Sequence, residues 1–110
     1  MICNKLVRDK IPKIYEADGK TCITENLQAE AYAEKLIELL DAELKDFKDA
    51  FNMEDDEQAV KKIADIVEVL YAVLDLIGVP KDSFEKIRLA KNSKFGGYKD
   101  GVLLKEIINN

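Results

Sequence analysis

The stretch Ile63-Ala64-Asp65-Ile66-Val67-Glu68-Val69-Leu70-Tyr71-Ala72-Val73-Leu74 decides the fold. Every position in it is apolar except Asp65 and Glu68. A helix that is apolar on nearly every side is normally buried on most of them. Asp65 and Glu68 are three apart, so they share one helical face one turn from each other. A carboxylate in such surroundings is costly unless a cation or a hydrogen-bond donor compensates it.

Working outward, the helix spans about Glu57 to Ile77. Val60, Ile63, Val67, Leu70, Leu74 and Ile77 form its expected core stripe, and Gly78 ends it. Upstream, the polar run Asn52–Asp56 reads as a connection whose acidic residues favour the next helix N-terminus. Before it a long helix runs from about Leu27 to about Asn52. Ala33, Ile37, Leu40, Leu44, Phe47 and Phe51 recur there at alternating spacings of four and three, the pattern of a bundle stripe. Downstream, Pro80 suits the first turn of a third helix that runs to about Ser93. Gly96-Gly97 forms a bend, and Val102–Ile108 is apolar enough to dock on the bundle or on a second subunit. Near the start, Ile11–Ala17 forms a short helix with Pro12 in its first turn. Asp18-Gly19 is a turn, and Thr21–Thr24 a short extended piece. The expected fold is all-α: one domain over residues 1–110, an antiparallel helical bundle with irregular ends, completed by a partner subunit.

The first long helix carries a second apolar row, Leu36 and Leu39. Heptad spacing continues it as Glu43, Asp46 and Ala50. Two further carboxylates thus replace hydrophobes where a row is being buried. Antiparallel helices would bring Glu43 and Asp46 towards Asp65 and Glu68, and that many like charges in one place require cations. Such carboxylate pairs on a helix are more often plain surface charges. Lys45, Lys48, Lys61 and Lys62 are also near enough in sequence to pair with them, for little gain if exposed.

Composition narrows the chemistry. The chain has no histidine, which excludes histidine-based triads and histidine-ligated zinc. Any metal must rest on oxygen ligands, which suits magnesium, manganese or calcium. A net charge of −5 disfavours a nucleic-acid polymer or an anionic membrane as partner. Basic residues nevertheless cluster at Lys5, Arg8, Lys10 and Lys13, and again at Lys86, Arg88, Lys91, Lys94 and Lys99. Cys3 and Cys22 lack a pairing motif, Met1–Cys3 runs straight into charges, and no apolar run approaches a membrane span. A reduced, cytoplasmic location is the expectation.

The chain resembles the MazG-like all-helical nucleoside triphosphate pyrophosphohydrolases, in particular the small phosphoribosyl-ATP pyrophosphohydrolase-like proteins. Four stretches carry the resemblance, in order: Asn4–Pro12 (Asn-Lys-Leu-Val-Arg-Asp-Lys-Ile-Pro), Glu43–Phe47 (Glu-Leu-Lys-Asp-Phe), Ile63–Val69, and Ile87–Lys91 followed by Gly96-Gly97-Tyr98. The resemblance implies hydrolysis of a nucleoside triphosphate between its α and β phosphates, giving a nucleoside monophosphate and pyrophosphate. It implies Mg2+, with Mn2+ as a substitute, held by Glu43, Asp46, Asp65 and Glu68. Glu43 and Asp65 would be the catalytic carboxylates, and Lys5, Arg8, Lys91, Lys94, Gly96 and Gly97 would contact phosphate. Self-association as a dimer or tetramer is expected.

Three positions depart from the family pattern. Asp46 stands where Glu is usual, Phe95 where Arg often precedes the two glycines, and Lys62 where the first Glu of a Glu-x-x-Asp motif belongs. Lys62 motivates one alternative, a catalytically weakened relative that binds nucleotide; a second alternative is a structural oligomerisation module.

Overall fold

The computed structural model describes residues 1–109. Four helices make up the fold: α1 (Ile11–Ala17), α2 (Ala29–Asn52), α3 (Asp56–Leu76) and α4 (Lys81–Phe95), with no strand among the described residues. Thr21–Thr24 belongs to no regular element. The chain divides into two compact units, Met1–Gly78 and Val79–Asn110.

In the first unit α2 and α3 pack along one another. Met53, Glu54 and Asp55 turn the chain between them, and local chemistry fixes that turn. The Asp55 N–H donates to the Ala50 carbonyl at 2.9 Å and the Glu54 N–H to the Phe51 carbonyl at 3.1 Å. These two bonds satisfy the open carbonyls of the α2 C-terminus in a Schellman arrangement. The left-handed residue this arrangement needs is Glu54, at φ +59°. Asp55 then caps α3, its Oδ1 accepting the Gln58 N–H at 3.1 Å. α3 stops at Gly78, whose φ of +79° glycine adopts without steric penalty.

The seam between α2 and α3 is not made by the stripes with the most hydrophobes. Leu36 and Ala50 are the buried residues of α2, and Ala59 and Val69 those of α3. Leu36 is only 2 % exposed, whereas its neighbour Ile37 is 52 % exposed. The inward face of α2 is therefore the row Leu36, Leu39, Glu43 and Ala50, with Leu40 and Phe47 half-buried beside it. On α3 the inward face is Ala59, Lys62, Ile66, Val69 and Val73. The expected core residues Ile37, Leu44 and Phe51 of α2, and Val60, Ile63, Val67, Leu70 and Ile77 around α3, lie exposed instead. Lys62 faces α2 and offsets the Glu43 and Asp46 carboxylates, which is what lets the mixed row close.

The second unit consists of α4 and the segment after it. Pro80 is the N-cap of α4 rather than a residue of its first turn, and Asp82 supplies the acidic residue near its start. Arg88 pairs with Glu85 one turn before it. The C-terminal Val102, Leu103, Leu104, Ile107 and Ile108 are all exposed.

Candidate functional site

The α2–α3 seam carries one ion-pair network. Lys62 projects from α3 towards α2, and its Nζ lies 3.1 Å from Glu43 Oε2 and 3.4 Å from Asp46 Oδ2. Asp65, one turn along α3, brings Oδ2 to 3.9 Å from the same nitrogen. The other Asp65 oxygen, Oδ1, accepts from Arg8 Nη2 at 2.5 Å. Three carboxylates from two helices thus share one ammonium, and a guanidinium from the N-terminal segment closes the far side.

Backbone placement explains the convergence. Glu43 and Asp46 are three apart on α2, as Lys62 and Asp65 are on α3, so each pair shares a helical face. The turn at Met53–Asp55 sets the two faces against each other. The segment carrying Arg8 is held at two points: Lys35 of α2 donates to the Asn4 carbonyl at 3.4 Å, and Arg8 reaches Asp65 of α3. Lys35 also pairs with Glu38 at 3.1 Å.

Burial grades across the network. The Glu43 and Lys62 side chains are 16 % and 21 % exposed, while Arg8 and Asp46 reach well into solvent. The hydrogen bond to Glu43 pushes the Lys62 ammonium above its ordinary value of 10.5. Burial opposes that shift, while the charges of Glu43 and Asp46 add to it.

The remaining candidates divide. Glu68 is exposed and enters no ion pair among the described residues. Lys5 is also exposed, apart from any ion pair. Lys91, Lys94, Gly96 and Gly97 belong to the second unit, where all four are exposed. Lys94 Nζ lies 5.1 Å from the ring centre of Phe95, and Gly96, at φ +81°, ends α4. Arg8, expected to meet phosphate, is engaged with Asp65. Lys62 is the residue whose role the motif pattern hides. It reads as a lost ligand, and the signal for its role is that it falls in register with Ala59, Ile66 and Val69 on the inward face.

In kind, Glu43, Asp46 and Asp65 are hard oxygen donors of the sort magnesium prefers. In placement they do not fit it: the point on which they converge holds the Lys62 ammonium. No group of three or more cysteine, aspartate or glutamate side chains among the described residues is disposed to hold a metal ion. No helix of the described chain is long and apolar enough to cross a membrane. Both cysteines are free thiols. Comparison with protein families, with curated proteins and with solved structures finds no match.

Proposed function

We propose that this chain is a cytoplasmic nucleotide pyrophosphohydrolase of the MazG-like kind. The reaction would be attack of water on the α phosphorus of a nucleoside triphosphate, with the α–β bridging oxygen leaving on pyrophosphate. One observation supports this reading above others. Arg8, Glu43, Asp46 and Asp65 come from three of the separate stretches that carry the resemblance, and they join in a single network. Within it, Glu43 or Asp65 is the group to accept the proton of the attacking water, and Arg8 with Lys5 the cationic group to meet phosphate. The resemblance alone assigns Lys91, Lys94 and Gly96-Gly97 to phosphate contact. Magnesium, the cofactor the resemblance implies, would have to displace the Lys62 ammonium from its carboxylates, and Glu68 would have to join them.

That last point favours a second reading, a relative that binds nucleotide without turnover. Pyrophosphate release from a panel of nucleoside triphosphates, beside thermal stabilisation by the same compounds, separates the two. Release that is lost in Asp65→Asn supports the enzyme. Stabilisation without release supports the binding relative. Neither effect with any triphosphate overturns both and leaves the oligomerisation module.

Self-association belongs to the same proposal. Ile37, Leu44 and Phe51 on α2 and Val60, Ile63, Val67 and Leu70 on α3 are exposed, an apolar surface of the kind a second copy covers. Sedimentation as a monomer at micromolar concentration would refute it.

A further inference from the structure

We propose that Lys62 is the resident cation of the seam: its tethered ammonium takes the place a divalent ion would hold among Glu43, Asp46 and Asp65. The proposal concerns what holds the carboxylates together in the chain without nucleotide; hydrolysis would need magnesium to arrive with the nucleotide's phosphates and displace Lys62 from them. Without a cation, three carboxylates this close repel strongly, and Glu43 is too covered for water to screen it fully. The ammonium meets that need from within the chain. Its nitrogen is in contact with Glu43 and Asp46 and at the margin of contact with Asp65. Arg8 supplies a second positive charge on Asp65.

A tethered ammonium differs from a free divalent ion in two ways. It is present at full occupancy in any buffer, because chelators cannot remove it. It also carries one charge where magnesium carries two; with Arg8 it offsets two of the three carboxylate charges, and it fills the point at which a further cation would bind. The seam should therefore be indifferent to divalent ions. Taking away the ammonium while keeping the aliphatic stem should let the three carboxylates, not disposed to hold a metal ion as they stand, draw together on a divalent ion.

The experiment compares the full chain with Lys62→Met and Lys62→Arg. Melting is followed in a chelator and in Mg2+ or Mn2+ at matched ionic strength, and Mn2+ binding by the loss of its free-ion electron paramagnetic resonance signal. The wild type and Lys62→Arg should melt at one temperature with and without the ions and bind no Mn2+. Lys62→Met should melt lower in chelator by ~5 °C or more, bind Mn2+, and recover on its addition. Mn2+ binding by the wild type that Asp65→Asn abolishes would overturn the proposal. So would a Lys62→Met chain that melts like the wild type in chelator, or one that takes up no Mn2+. Should Lys62→Met fail to fold, Lys62→Gln, which keeps a hydrogen-bond donor towards Glu43, is judged by the same readouts.

Discussion

Lys62 on α3 donates to Glu43 on α2 at 3.1 Å, inside the helix seam, where each side chain keeps only about a fifth or less of its exposure. A pair so placed is neither a solvated surface contact nor a sealed one. Its attraction is stronger than at the surface, and its desolvation penalty is incomplete because Asp46 opens towards water.

The two residues should be energetically coupled. Lys62→Met and Glu43→Gln are each expected to destabilise by about 1–3 kcal/mol, less than the loss of one partner of a fully buried pair. The double variant should lose about 1–2 kcal/mol less than the sum of the two. Urea unfolding of all four chains measures this, and additive losses would show that the residues act separately.

The raised Lys62 pKa gives a pH dependence of definite sign. Below 10.5, its ordinary value, the side chain is charged in the folded and unfolded states, and the stabilisation is fully present. As pH rises past that value the unfolded chain loses the proton first, so stability falls through the folded pKa. Unfolding free energies across alkaline pH should therefore converge for wild type and Lys62→Met above about 10.5. A difference that grows with pH there would contradict the pairing.

The inward row can be read by truncation. Leu36→Ala should cost about 2–5 kcal/mol, and Ile37→Ala under about 1 kcal/mol, measured by urea at a dilution where the chain is monomeric. Equal costs would put both side chains in one core.

The outer rows should respond in association rather than in folding. Ile63→Lys or Phe51→Lys is expected to shift sedimentation towards the monomer while leaving helical circular dichroism unchanged. An unchanged sedimentation coefficient would remove these rows from the interface.

Glu54 occupies a left-handed position that glycine fills at lower energy. Glu54→Gly should stabilise the chain by about 0.5–1 kcal/mol, because the relieved backbone strain exceeds the added freedom of the unfolded state. Asp55→Ala, which removes the cap on Gln58, should destabilise by about 1 kcal/mol. Thermal melts check both.

The helices were legible because their signals are local. Ile11–Ala17 follows from Pro12 and the turn after it, and the bounds of α2, α3 and α4 fall within a few residues of the positions that the connections and Gly78 mark. The choice of inward face was not legible in the same way. α2 carries two heptad rows, and counting hydrophobes selects Ile37, Leu44 and Phe51 over Leu36, Glu43 and Ala50. Lys62 on the opposing helix compensates the carboxylates of the second row, and that is a relation between helices. The meeting of Glu43, Asp46 and Asp65 was visible from spacing. The occupant of their meeting point was not, because Lys62 read alone is a missing acid rather than a present cation.

The shortness of the Met53–Asp55 turn also bears on how fast this seam assembles. Glu43 and Lys62 lie 19 positions apart and most of that span is helix, so little loop entropy opposes their meeting once the helices form. The acidic side chains are thereby brought to their lysine early, and the like charges of a nascent chain spend little time face to face without it.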